Sequence, residues 1–184
     1  MYASTLKRLY LVVGMMAMAM VVGCSTAPKT AEGKADIQSA ADVALAKAQR
    51  TDPSLRSVFR EAAGYAVFPS VGKGAVGVGG AYGKGVLYVN DRAVGYCDLS
   101  QASIGFQLGG QAYTEIIAFQ TMQAVDKFKE GNFRFDAQAT AVALKSGAGA
   151  NAQYADGVAV FTMDEAGLMY EASIGGQKFS YQAK

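Results

Sequence analysis

The sequence predicts an α+β domain: a mostly antiparallel, strongly bent, glycine-rich sheet or partial barrel with two N-terminal helices and one internal helix. Two observations point there. Helical spacing of apolar residues is confined to three short stretches, around residues 36–49, 51–63 and 121–130. Everywhere else after Gly64, runs rich in Val, Ile, Tyr and Phe are separated by glycine, which supplies 22 of the 184 residues.

The elements follow in order. Asp36–Gln49 puts Ile37, Ala41, Ala44, Leu45 and Ala48 on one helical face, with Asp36 at the N-cap or in the first turn. Thr51-Asp52-Pro53 opens a second helix, with Asp52 suited to the N-cap and Pro53 to the first position. Its apolar stripe is Leu55, Val58, Phe59 and Ala62. Arg56 and Arg60 lie four apart on another face, and Gly64 stops it. Strand-like runs then occupy 65–71, 75–82, 85–89, 94–99, 102–108 and 111–119. A helix over Thr121–Glu130 carries Met122, Val125 and Phe128. Phe133–Leu144 alternates again, and three closing strands are expected at Val158–Met163, Gly167–Ile174 and Lys178–Gln182. Asp164–Gly167 has hairpin-turn chemistry. Gly77, Gly79 and Gly80 are expected where backbones approach closely. Tyr65, Phe68, Tyr82, Tyr88, Tyr96 and Phe106 are expected mostly in the core.

The N-terminus defines where this domain works. Lys7 and Arg8 precede an apolar run, Leu9–Val22, of signal-peptide length, and Val21-Val22-Gly23-Cys24-Ser25 follows the pattern of a bacterial lipobox. The expected organisation is a lipoprotein signal peptide over 1–23, a lipidated tether over 24–35 and one domain over 36–184. Cys24 is then the lipidation site, carrying palmitate-type acyl chains that anchor the protein to a membrane of the bacterial envelope. Ser25 after it points to the outer membrane. Loss of Lys7 and Arg8 leaves 15 Lys+Arg against 15 Asp+Glu, so the mature chain is near neutral. That argues against nucleic acid, which needs a concentrated basic surface.

Residues able to carry chemistry are sparse. Histidine is absent, so the commonest metal ligand and near-neutral base are missing. Cys97 has no histidine to activate it and reads as packing. The carboxylates of Asp91, Asp98, Glu115 and Asp136 are scattered, and sequence alone does not bring them together for hydrolysis. Gly72–Gly77 matches G-x-G-x-x-G, but more glycine-rich strand follows where a dinucleotide site needs a helix. The reading is therefore non-enzymatic, with no cofactor and no metal. Lys73 and Lys84, in or beside glycine turns, are expected to join Arg56 and Arg60 as a small basic face for anionic lipid headgroups.

Five segments in order resemble the SYLF domain family: Ala66-Val67-Phe68-Pro69, Gly74–Val89, Ser103–Phe119, Phe135–Ala143 and Gly167–Gly176. The resemblance runs from about Leu55 to Tyr181 and implies a lipid-binding module. Eukaryotic members also engage actin, beside SH3 or FYVE domains that this sequence does not contain. Tyr96-Cys97 stands where eukaryotic members carry tryptophan, which leaves the lipid's identity open. The expected function is a membrane-anchored envelope lipoprotein whose domain binds lipid headgroups. The alternative is an envelope structural protein that binds a protein partner without lipid specificity.

Overall fold

A computed structural model describes residue 28 and residues 30–76, 78–104, 110–131, 133–135, 141–166 and 174–184, of which 74–79, 103–111 and 164–166 by backbone alone. Helix α1 spans Ala31–Thr51 and α2 spans Leu55–Glu61. Strands β1 (Gly64–Val76), β2 (Val78–Val89), β3 (Arg92–Ile104) and β4 (Gly110–Phe119) follow. Helix α3 (Met122–Lys129) precedes β5 (Val142–Ala143), a 3-10 turn at Gly149–Asn151, β6 (Val158–Ala166) and β7 (Lys178–Ala183). The strands form one sheet in the order β5-β6-β4-β1-β2-β3-β7. All neighbours are antiparallel except the short β5, which pairs with β6 in parallel.

Side-chain alternation divides the core into two halves. Tyr65, Val67, Val86, Tyr88, Tyr96, Ile116 and Phe161 face α1 and α2. Ala66, Phe68, Leu87, Leu99, Ile117, Phe119 and Val160 face the other way, toward α3 and Phe179. The second face is concave. Phe68 on β1 and Phe179 on β7 lie three strands apart, about 14 Å in a flat sheet, yet their ring centroids are 5.8 Å apart. Phe128 of α3 closes the hollow, 5.0 Å from Phe119 and 5.2 Å from Phe179.

The bend has a local cause in β1. Its register shifts against both β2 and β4 in the stretch holding Pro69. Proline has no N–H to give a ladder, so a central strand tolerates it only at such an irregularity. The Thr114 hydroxyl donates to the Pro69 carbonyl at 2.8 Å and fixes the bulge. Two glycines then let neighbouring strands close up. A Cβ on Gly85 would stand 2.6 Å from the Val67 carbonyl oxygen and 2.7 Å from the Phe68 ring. One on Gly95 would overlap the Tyr181 ring. Of the glycines expected at close approaches, Gly80 is at one: its Cβ would stand 3.0 Å from the Gln101 carbonyl oxygen. Gly77 lies outside the described residues and Gly79 in a stretch described by backbone alone.

Several boundaries differ from the sequence reading. Helix α1 starts at Ala31, so residues 31–35 belong to the helix rather than to the tether. Thr30 is the N-cap, accepting from the Gly33 N–H at 3.1 Å, and glycine in a first turn does not stop a helix so capped. The second helix begins at Leu55, with Ser54 rather than Asp52 preceding it. The expected run 75–82 is divided between two strands: its first two residues end β1, and 78–82 opens β2, which continues through the expected run 85–89. Asp164–Ala166 prolong β6 instead of turning, pairing onto β4 as far as Ala112. The expected strand at 167–174 falls almost wholly outside the described residues, as do residues 136–140 of the expected strand at 133–144. Tyr65, Phe68, Tyr88 and Tyr96 are core residues, whereas Tyr82 is 42% exposed. Phe106 is outside the description.

Replacing Gly85 by Ala is expected to lower unfolding free energy by about 1–3 kcal/mol, the usual range for overpacking a core. Val43→Ala, on the exposed side of α1, should stay within about 0.5 kcal/mol. Urea melts read both, and a Gly85→Ala midpoint equal to the parent's would contradict the close β1–β2 approach.

Candidate functional site

The four basic residues expected to form one face do not converge. Arg56 and Arg60 are exposed on α2, which follows the C-terminal end of α1. Lys84 lies at the other end of that helix. It lines a hollow of about 490 Å³ with Pro28, Thr30, Gly33, Asp36, Ile37 and Ala40. The hollow reaches along α1 to Ala40, and the eleven residues from there to Thr51 rise about 16 Å along the axis. Lys73 is on the opposite side of the sheet. It pairs with Ala81, a residue of the concave core, whereas Lys84 alternates in step with Val86 on the helix-covered face. A one-residue difference in strand parity is enough to send two lysines to opposite faces. Cys24 lies outside the described residues.

The N-terminal end of α1 carries a further cation that sequence reasoning missed. Lys34 sits on the first turns of α1, and its ammonium lies 5.4 Å from the centre of the Tyr96 ring. Tyr96 pairs with Val86, two residues from Lys84. Placing Lys34 in the tether hid it, because only a helix starting at Ala31 carries it onto the sheet. The charge there is mixed: Asp36 lines the hollow, and Asp98 is the cross-strand partner of Lys84. Asp98 also accepts from Tyr82 and Ser180, each at 3.2 Å.

Two other carboxyls are built into the fold. Asp52 is fully buried and accepts from the Ser54 N–H (3.0 Å) and hydroxyl (2.7 Å), the Gly147 N–H (3.1 Å) and the Gly149 N–H (2.6 Å). It ties the α1–α2 corner to the loop around residue 147. Burial pushes its carboxyl up, but the bonds from Gly149, Ser54 and Gly147 outweigh that and leave it below its ordinary value. Glu115, on β4, is fully buried on the concave face. Burial pushes it up to about 7, against the lowering effect of hydrogen bonds from Gln177 and Tyr113. The sequence carried a signal for it: Glu115 shares strand parity with Tyr113, Ile117 and Phe119 on an otherwise apolar face.

Among the described residues no three of His, Cys, Asp and Glu come together as a metal site. Cys97 is a buried thiol in the concave core, pushed well up by burial and by the neighbouring Asp98 charge. Gly72–Val76, the start of the G-x-G-x-x-G match, runs as strand β1 and leads into β2, not a helix. No described helix is long and apolar enough to cross a membrane.

The fold is thus that of an open, helix-flanked half-barrel whose polar groups are tied into structure. Residues 100–184 match the family model described as Ysc84, Las17-binding protein actin regulator. Beta cell expansion factor A of Aeromonas veronii is 32% identical over 156 residues, which cover 83% of this chain and 59% of that protein. Residues 100–184 thus carry a Ysc84/SYLF family domain. The chain spans less than two thirds of the Aeromonas protein's length. The matched residues include Tyr113, Glu115 and Gln177, whereas Arg56, Arg60, Lys73 and Lys84 lie before them.

Asp52→Ala is expected to cost about 2–4 kcal/mol, since four donors lose their acceptor. The contribution of Asp52 is present above its ordinary value of 3.8 and is lost as pH falls through its lower folded value. Acid unfolding of wild type beside the variant reads this. Their curves should converge at low pH, and a gap that persists there would contradict a carboxylate role.

Proposed function

We propose that this protein is an envelope lipoprotein, anchored through acylated Cys24, whose SYLF domain rests against anionic lipid headgroups in a non-catalytic role. The observation that carries the reading is the position of Pro28. Pro28 lies in the hollow that Lys84 lines, at the N-terminal end of α1. Cys24 is four residues earlier, at most about 14 Å of extended chain. An acylated Cys24 would hold this end of the domain, with Lys34 and Lys84, next to the bilayer. Short tethering raises the local concentration of headgroups, so weak contacts suffice. Each lysine near an anionic surface contributes about 1 kcal/mol, less at high salt.

In this arrangement Arg56 and Arg60 sit beyond the C-terminal end of α1, away from the hollow that Lys84 lines. The headgroup contacts therefore fall to Lys84 and Lys34 rather than to all four residues of the expected basic face. A protein partner is the second reading. It is favoured by Val43, 62% exposed on α1 in a hollow it shares with Ala35, Gln38, Ser39, Asp42 and Ala46.

Intact mass of the native protein tests the anchor. A diacyl- or triacyl-cysteine N-terminus at Cys24 is expected, and a mass equal to unmodified 24–184 would sink it. The headgroup contact is tested with the Cys24→Ala chain and vesicles of increasing anionic phospholipid. Salt-sensitive binding should fall when Lys34 and Lys84 are both changed to Ala, and hold when Arg56 and Arg60 are. Binding unaffected by either pair, or absent throughout, would leave the protein-partner reading in front.

A further inference from the structure

The concave core contains a polar pair that neither the headgroup contact nor the anchor uses. The Gln177 amide Nε2 donates to Glu115 Oε2 at 3.0 Å and lies 3.5 Å from the Tyr113 hydroxyl. Both side chains are fully buried. The remaining oxygen on each, Glu115 Oε1 and Gln177 Oε1, has no hydrogen-bond partner among the described residues. This is costly in an apolar interior. The pair also spans the half-barrel: Glu115 is on β4, and Gln177 immediately precedes β7, four strands away in the sheet order.

An ionised carboxyl is acceptor only and has nothing to offer the Gln177 oxygen. A protonated carboxyl carries one donor and one acceptor, the complement of an amide. Protonation of Glu115 on Oε1 would supply the donor missing from this pair. We propose that Glu115 and Gln177 are a proton-dependent latch: protonated, Glu115 holds the turn at residues 174–177, and with it β7, across the concave core; ionised, it lets them go.

The surroundings fit that role. The turn is tied down at few other points: Gln101 Nε2 donates to the Gly175 carbonyl at 2.7 Å, and the Gly176 N–H donates to the Phe135 carbonyl at 3.2 Å. β7 lies at the edge of the sheet: it ladders with β3, and among the described residues Lys178 at its start also bridges Arg134. Around Glu115, β1 presents Phe68 and β6 presents Thr162 as its cross-strand partners. From α3 come Ala124, Val125 and Phe128, and from the C-terminal segment Ile174 and Phe179. The titratable groups of this face among the described residues are Tyr113, bonded into the pair, the Cys97 thiol on β3, and Lys73, five residues beyond Phe68 along β1. Glu115 is raised by burial, not by a charged neighbour, to about 7. On ionisation the proton goes to solvent, and the carboxylate is left in a phenylalanine-lined core. Release of β7 would remove Phe179 from Phe68, Phe128, Phe133 and Phe135 and bare that apolar surface.

The sign follows from the raised value. The latch is intact below the ordinary carboxyl value of 4.5, weakens as pH rises toward about 7, and changes no further above it. Hydrogen exchange of the β7 amides in the full chain, corrected for intrinsic rates, reads it. The opening constant should rise between pH 5 and 7 by up to about tenfold per unit, the limit for one group, and then level off. Amides of β1 and β4 should rise less. Glu115→Gln presents a donor and an acceptor at every pH, so the β7 slope should vanish in that variant. A flat profile in wild type, an unchanged slope in the variant, or an equal slope in all strands would overturn the latch. Should the variant not fold, the carboxyl carbon shift of Glu115 in wild type decides: titration near 7 supports it, and titration below 5 overturns it.

Discussion

Strand β1 is buried on both faces and bonded on both edges, and the rest of the domain is arranged around that constraint. Tyr65 and Val67 enter the core under α1 and α2, while Ala66 and Phe68 enter the concave core. A flat strand with two apolar faces would need two full covering layers. The irregularity at Pro69 offers another solution, because it bends the sheet until its own distal strand helps to cover one face. Phe179 from β7 then meets Phe68 from β1, and the short helix α3 fills what is left. The other face needs the long α1, whose buried side is almost all alanine: Ala41, Ala44 and Ala48. Small residues let the helix lie close to the stacked Tyr65 and Tyr88 rings, and Tyr88 donates to Asp42 of that helix at 2.6 Å.

Curling brings distant strands together and so places polar groups where no solvent reaches. Glu115 and Gln177 are 62 residues apart and meet across the hollow. Replacing such a pair by apolar residues of similar size is often neutral or stabilising in other proteins. Their presence inside a cluster of phenylalanines therefore argues for something other than stability, and reversible closure of an edge strand is a use that needs both groups. Asp52 is the contrasting case. It is equally inaccessible, but four donors surround it and hold it charged, so it acts as a fixed joint.

Under the proposed anchoring through Cys24, tether and fold would impose a common orientation. A chain tethered a few residues before α1 presents the N-terminal end of that helix first, and the far end, with α2, last. The mixed charge around Lys84 and Lys34 suits a surface that touches a bilayer because it is held there. A near-neutral mature domain is consistent with that economy: tethering supplies the proximity that a free peripheral protein would have to obtain from a strongly basic face.

The sequence by itself determined the class of fold, because helical and strand periodicities are local properties. Thr121–Glu130 and the apolar face of α1 were legible from spacing alone, and five short segments sufficed to mark the family. The identity of Glu115 as a carboxyl on an apolar strand face could also be read there. Tertiary structure alone decided what depends on strand parity and sheet curvature. It separated Lys73 from Lys84 to opposite faces, set Arg56 and Arg60 beyond the far end of α1 from Lys84, and made Gly85 and Gly95 tight positions. It ran Asp164–Ala166 on as strand, because pairing with β4 outweighed their turn propensity. It also joined Glu115 to Gln177. These outcomes follow from which strands become neighbours and how far the sheet bends, and both are settled by long-range contacts that no local window of sequence contains.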